Sequence, residues 1–372
     1  MAAHHDKSSF RNPWPSRTSI LSAISTICHL PLTRAEPFTT PGVRAVKTVP
    51  CEFERYESSR ERDGRGALLA TWLGHAGFLV QIPPRTGDDK PVRVLFDPIF
   101  AERASPVTWF GPKRWLPPPC SAEDLPHVDY IIISHNHYDH LDLETIQRVY
   151  HSDVTVLVPL GVKQIFLDSV PKVNTEHVHE MDWWDTMVFL DGIEVVCTPA
   201  QHNSGRGLRD QCKTLWASWV VRRASTSLYH AGDTGYATAS GPCPAFSEIG
   251  KKYGPFDLAM IPIWRGASLS VLGQLGLRVR TEALLSTLHA SPHDAVELAA
   301  DVKAKHSIAM HFGTFCGSAD EALEPLVLLE DALRKKGCTS VVPVTTWETD
   351  GGFRAIDVGH TVAIPLATIH ND

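Results

Sequence analysis

Apolar runs of strand length recur along most of this chain, at residues 71–82, 92–96, 128–133, 154–158, 193–197, 216–221, 226–229, 258–263 and 307–310. The first three end at a glycine, proline or aspartate signal or at a histidine-rich segment, the punctuation expected of buried strands. Helical spacing of apolar positions appears at 141–150, 245–252, 293–305 and 323–336. Many strands follow one another with no helix between them. That order predicts an α/β protein built as a four-layer α/β/β/α sandwich rather than a doubly wound sheet. Residues 1–65 are rich in Pro, Ser, Thr and Arg and show no period, so they are expected to form an arm packed on the core, with 66–372 as a single domain. No internal repeat or low-complexity tract interrupts the pattern.

One run leads into unusual chemistry. Ile131-Ile132-Ile133 passes through Ser134 directly into His135-Asn136-His137-Tyr138-Asp139-His140. Neutral imidazole and ionised carboxylate are ligand types that zinc accepts, and an i, i+2 pair on extended backbone points the same way. With Asp139 and His140 following at once, the chain can turn and offer a second set of ligands beside the first, as a two-metal centre requires. Three further ligand-type residues lie just past predicted strands: His202 after 193–197, Asp233 after 226–229 and His311 after 307–310. A lone strand-end histidine or aspartate is more often structural than ligating. Together with His135, His137, Asp139 and His140 they make a set that two metals sharing one carboxylate would use, and loops converge at strand ends in sheet proteins.

Composition narrows the setting. At 372 residues, 43% hydrophobic and 21% charged, the chain can bury a sizeable core, and a net charge of -7 argues against a general nucleic-acid binder. Its eight cysteines are scattered without a Cys-x-x-Cys pair, so a reduced intracellular compartment fits better than a disulfide framework. No stretch approaches the roughly 20 apolar residues of a spanning helix. The segment 20–32 comes nearest and is broken by Ser22, Ser25, Thr26 and His29; Asp6, Pro13 and Pro15 weaken a transit-peptide reading. The expected location is intracellular, either cytoplasmic or peripherally membrane-associated.

The histidine motif with the later His, Asp and His resembles the metallo-β-lactamase fold hydrolases. A closer similarity is to N-acylphosphatidylethanolamine-hydrolysing phospholipases D and their lactonase-like relatives. It is carried by Asn12-Pro13-Trp14-Pro15, Trp72-Leu73-Gly74-His75-Ala76, Asp97-Pro98-Ile99-Phe100, Arg103-Ala104-Ser105-Pro106, Gly111-Pro112-Lys113-Arg114, Thr198-Pro199-Ala200-Gln201-His202, Gly232-Asp233-Thr234-Gly235-Tyr236 and His311-Phe312-Gly313-Thr314-Phe315. The resemblance implies two zinc ions, one held by His135, His137 and His202, the other by Asp139, His140 and His311, with Asp233 bridging. It implies a phosphodiester lipid substrate cleaved to N-acylethanolamine and phosphatidic acid by hydroxide. Asp139, Asp233 and His289 are then the catalytic candidates, His289 either orienting phosphate or assisting proton transfer.

His75 and Asp97 fall in motifs shared with that family and are candidates for orienting ligands, although a strand-end aspartate before proline also caps turns. Tyr138 either faces substrate or packs. The stretch 265–277 departs from the animal enzymes' pattern and carries several leucines, among them Leu272 and Leu275, which bury in a core or dock on a lipid surface. The expected partners are a phospholipid substrate, a peripheral membrane surface and, by analogy, a second copy in a homodimer; no nucleic acid is expected. The same ligand set suits a lactonase acting on a phosphorylated sugar or another small ester. An RNA-cutting nuclease is disfavoured by the acidic balance, and a scaffold with a vestigial site by the completeness of the set.

Overall fold

Period-two alternation within the apolar runs splits each strand of the first sheet between two cores. In the computed structural model, which describes residues 3–14, 32–34, 42–53, 67–84, 89–264, 277–279, 288–337 and 351–366 (32–34 and 277–279 as backbone only), this sheet is built from β1 (Leu68–Gly74), β2 (Gly77–Ile82), β3 (Val92–Phe96), β4 (Tyr130–Ile132), β5 (Thr155–Pro159) and β6 (Val178–Met181). Trp72, Phe78, Val80, Val94, Phe96 and Ile132 point into one cluster, while Leu69, Leu73, Leu79, Leu95, Ile131 and Ile133 point into another. Both faces are therefore dry, which is why the runs read as continuous apolar segments.

The second sheet follows in sequence as β7 (Thr186–Val188), β8 (Ile193–Thr198), β9 (Ser218–Arg223), β10 (Thr226–His230), β11 (Phe256–Pro262), β12 (Ala304–Met310) and β13 (Gly352–Arg354), hydrogen-bonded in that order. A last strand, β14 (Thr361–Ile364), returns to the first sheet and pairs antiparallel with β1. Trp219, Tyr229, Phe256 and Met260 share the larger cluster with the inner face of the first sheet, and the Phe96 and His230 rings stack across it at 4.8 Å. Helices α1 (Leu143–Val149) and α2 (Val162–Ser169) bury Ile146 and Phe166 on the outer face of the first sheet. Helices α3 (Pro244–Lys252), α4 (Pro292–Asp301) and α5 (Ala319–Lys335) bury Phe246, Leu298 and Leu329 beside the second. The four-layer α/β/β/α order is the one expected. Among the described residues no helix is long and apolar enough to cross a membrane.

Several elements differ from the sequence expectation. The run 71–82 is not one strand. It folds as the hairpin β1–β2, turning at Gly74 (φ 99°) and His75 (φ 53°), and the turn was masked because apolar residues fill both faces on either side of it. The helical pattern at 293–305 stops at Asp301, and after Lys303 (φ 60°) the chain enters β12. The strands β6, β7, β13 and β14 and helix α2 were not foreseen, being short or flanked by polar residues. Leu272 and Leu275 lie outside the described residues, so the lipid-docking expectation for that stretch has no structural counterpart here.

Residues within 3–14 and 42–53 touch the sandwich. Val46 is buried in the main core, Arg44 clasps Asp357 with two 2.8 Å bonds, and Asn12 Nδ2 donates to the His202 carbonyl at 2.8 Å. Trp14 stacks on Trp183 at 5.9 Å.

Candidate metal centre

Six loops leave strand ends on one side of the sandwich and bring the predicted residues together. His75 sits in the β1–β2 turn, Asp97 follows β3, His135 to His140 follow β4, His202 follows β8, Asp233 follows β10 and His311 follows β12. Three of these, His75 (φ 53°), Asp97 (φ 36°) and His311 (φ 64°), hold left-handed backbone that costs a non-glycine residue of order 1–3 kcal/mol. Neighbours hold them there: His311 N donates to His75 O at 2.9 Å, His75 N to Thr314 Oγ1 at 2.6 Å and Asp97 N to Ile132 O at 3.1 Å. Gly232 supplies a further tight turn. With φ 57° it has no room for a side chain, since a Cβ would lie 2.7 Å from Ser134 Cβ and 2.9 Å from Ala217 O.

The donor atoms form two groups. His135, His137, His202 and Asp233 place one ligand atom each within 4.8 Å of one another, and so do His75, Asp139, His140 and His311. Asp233 touches both: Oδ1 lies 2.8 Å from His311 Nε2 and 3.2 Å from His140 Nε2, while Oδ2 lies 3.4 Å from His202 Nε2. His289 Nε2, from the segment before α4, is 3.4 Å from the same Oδ2, and with Asp233 and His311 it places its donor atom within 4.8 Å of theirs.

The outer ring nitrogens are tied down. His202 Nδ1 meets Leu288 O at 2.9 Å, His311 Nδ1 meets Trp264 O at 3.1 Å, His140 Nδ1 meets Asp97 Oδ2 at 2.8 Å and His135 Nδ1 meets Ser134 Oγ at 2.9 Å. Each contact turns Nε2 inward and keeps a proton on Nδ1, the side away from the centre. Asp97 thus orients His140, and Ser134, whose N and Oγ both donate to Asp97, completes the link. His75 Nε2 lies 3.0 Å from Asp139 Oδ2.

This packing fits a bound cation. His202 Nε2 and His137 Nδ1 are 3.3 Å apart, as are His140 Nε2 and His311 Nε2, and the fully buried Asp233 Oδ1 makes no properly directed hydrogen bond despite its close nitrogens. Two donors each about 2.0–2.1 Å from one tetrahedral zinc are spaced about 3.3 Å apart. Electrostatics agree. Burial holds His135 and His202 well below the usual imidazole range and His137 down to about 4, so these rings are neutral and able to donate to a metal. For His140 burial also opposes the charged form, but Asp233, then Asp97 and Asp139, outweigh it and raise the pKa well above the usual value. Against the same burial, His140 pulls both Asp139 and Asp233 well below the carboxylate range. Buried carboxylates gathered in this way need positive charge beside them.

Tyr138 is half-buried. Its ring packs beneath the Arg206 guanidinium at 3.8 Å, and it joins the small cluster of Ile99, Ala104 and Phe315. Sequence reasoning missed Arg206. Its Nη1 donates to Asn136 O at 3.1 Å and Leu141 O at 2.9 Å, bracketing the turn that carries His137 to His140. It also missed Ser134 and Asn136, whose Oδ1 accepts from Gly205 N at 2.7 Å. Only the position of Ser134 and Asn136 inside the histidine motif could have pointed to them.

Comparisons with known proteins agree with this geometry. The chain matches the beta-lactamase superfamily domain over residues 92–312. It is 36% identical over 291 residues to the N-acyl-phosphatidylethanolamine-hydrolyzing phospholipase D 1 of Caenorhabditis elegans, covering 76% of this chain and 75% of that protein. It is 32% identical over 290 residues to the mitochondrial N-acyl-phosphatidylethanolamine-hydrolyzing phospholipase D of Saccharomyces cerevisiae, covering 76% of this chain and 54% of that one. Among solved structures it resembles a metallo-hydrolase of the archaeon Ignicoccus hospitalis with a TM-score of 0.50 and 17% identity, over 81% of this chain and all of the other, a likeness of fold alone. The chain belongs to the beta-lactamase superfamily and is a metal-dependent hydrolase of the metallo-β-lactamase fold.

Proposed function

We propose that this chain is a zinc-dependent phosphodiesterase that hydrolyses N-acylphosphatidylethanolamine-type lipids to N-acylethanolamine and phosphatidic acid. The observation that carries the reading is the convergence of two donor groups on Asp233, in a chain 36% identical to the worm phospholipase over most of both proteins. In this reading His135, His137 and His202 would hold one ion and Asp139, His140 and His311 the other, with Asp233 presenting one oxygen to each group. Two zinc ions supply Lewis acidity and hydroxide near neutral pH.

The chain's own residues position and move protons. Asp97 and Ser134 fix His140, and Arg206 fixes the turn that follows β4. The water-derived oxygen forms a bond to phosphorus, and the bond from phosphorus to the N-acylethanolamine oxygen breaks. His289 Nε2, 3.4 Å from Asp233 and with a side chain 17% exposed, sits where it can give a proton to that leaving oxygen. An aromatic tip favours a lipid interface. Trp109 is 77% exposed and Phe110 62%, and Trp115, five residues on from Phe110, is 46% exposed. The loop is braced to the centre through Trp115 N, which donates to Thr314 O at 2.8 Å. Aromatic rings of this kind suit the boundary between water and acyl chains.

The test is turnover by metal-analysed protein of an N-acylphosphatidylethanolamine in detergent micelles, a phosphorylated sugar lactone and a short RNA. Selective release of phosphatidic acid is expected. Lactone opening with the lipid intact overturns the lipid reading in favour of the small-ester one.

A further inference from the structure

A second cluster of ligand-type side chains lies outside the centre, where the arm meets the end of β6. His4 Nε2 lies 2.7 Å from Asp182 Oδ1, His5 Nε2 lies 2.7 Å from Asp182 Oδ2, and the three residues place their donor atoms within 4.8 Å of one another. We propose that His4, His5 and Asp182 form an additional site for a divalent transition-metal ion of the zinc type, which staples the N-terminal arm to the sandwich.

The donor set is two imidazoles and one carboxylate, a combination that binds zinc and leaves positions for water. Orientation is built in. The His4 ring lies against Trp183 at 4.2 Å and the His5 ring meets Phe10 edge-on at 5.2 Å. Asp182 is fixed from its own side by Trp183 N, which donates to Oδ1 at 2.8 Å, and by its own N–H, which donates to Asp185 Oδ2 at 2.8 Å. The site has a dry side and a wet side: the His4 side chain is 7% exposed, those of His5 and Asp182 30% and 26%. Burial pulls the His4 pKa below the usual imidazole range, which keeps the ring in the neutral form that a metal needs.

The donors come from chain segments far apart in sequence, so an ion here would order the arm. That arm also carries Asn12, whose Nδ2 reaches the His202 carbonyl, so the staple would set the position of a residue touching the main centre.

Zinc content is the readout. Full-length protein is stripped with chelator, reloaded with micromolar zinc at neutral pH, passed through a gel-filtration column and assayed for metal per chain. Wild type is expected to retain one zinc more than the His4→Gln/His5→Gln double variant, with circular dichroism showing both folded. His4→Cys, which substitutes one zinc ligand for another, is expected to keep the wild-type count. Equal zinc in wild type and the double variant overturns the proposal and leaves the cluster as a pair of hydrogen bonds. Because Asp233 and its neighbours are untouched, this outcome is independent of the lipid substrate.

Discussion

Asp97 and His140 are joined by a 2.8 Å hydrogen bond between two fully buried side chains, and the far nitrogen of the same ring faces Asp233 at 3.2 Å. One carboxylate oxygen therefore holds a proton on His140 Nδ1 and turns Nε2 toward Asp233.

Asp97→Asn is expected to keep the size of the side chain and lose that hold. The amide cannot offer acceptors to Ser134 N, Ser134 Oγ and His140 Nδ1 together, so the ring tautomer is no longer set. Metal affinity at the group containing His140 should fall about 10–100-fold, the usual effect of losing such an orienting partner. Competition against a chromogenic chelator measures it, and an unchanged affinity contradicts the orienting role.

Asp233 and Asp139 make different predictions. Asp233 touches donors from both groups, whereas Asp139 belongs to one. Asp233→Asn is expected to weaken both metals. Asp139→Asn should weaken only the one shared with His140 and His311. Metal analysis across a chelator series separates the two patterns, and an identical loss in both variants removes the bridging assignment.

Gly232→Ala places a methyl group against Ser134 and the Ala217 carbonyl in left-handed backbone. The clash and the strain together should lower stability by about 2 kcal/mol or more and shift Asp233. Gly207→Ala is the control. Its Cβ meets only Asp210 Oδ1 at 3.6 Å, so a change within about 0.5 kcal/mol is expected. Urea unfolding of the two variants reports the contrast.

The clasp between Arg44 and Asp357 gives a pH dependence. Although burial opposes it, the paired guanidinium holds the Asp357 pKa below the usual carboxylate value. A depressed carboxylate stabilises the fold above its unfolded pKa, near 3.9, and the contribution is lost as pH falls through the folded value. With Arg44 45% exposed, solvent screening limits the effect, so Arg44→Met should cost about 1 kcal/mol at pH 7. The gap between variant and wild type should close as the pH drops below about 4. A gap that stays constant across the range shows that the clasp does not act through charge.

Much of the site was legible because its chemistry is concentrated. The motif from His135 to His140 follows a buried strand directly, and His202, Asp233 and His311 each follow another, so residue type and strand-end position were enough to gather them. What was not legible depends on contacts far apart in sequence. Nothing local announces that Arg206 spans Asn136 and Leu141, or that Ser134 joins Asp97 to two histidines. The fold followed the same division. Runs buried on both faces stood out as strands, but that very burial hid the turn at His75, because without a polar face there was no break in the pattern. Short, partly exposed strands such as β7 carried no apolar run at all.

The central claim is hydrolysis at phosphorus in an N-acylphosphatidylethanolamine. Turnover in ¹⁸O-labelled water tests it most directly, read by mass spectrometry of both products. The account predicts one ¹⁸O in the phosphatidic acid and none in the N-acylethanolamine. Label in a released fatty acid, or an untouched lipid in the presence of fully metal-loaded protein, contradicts it.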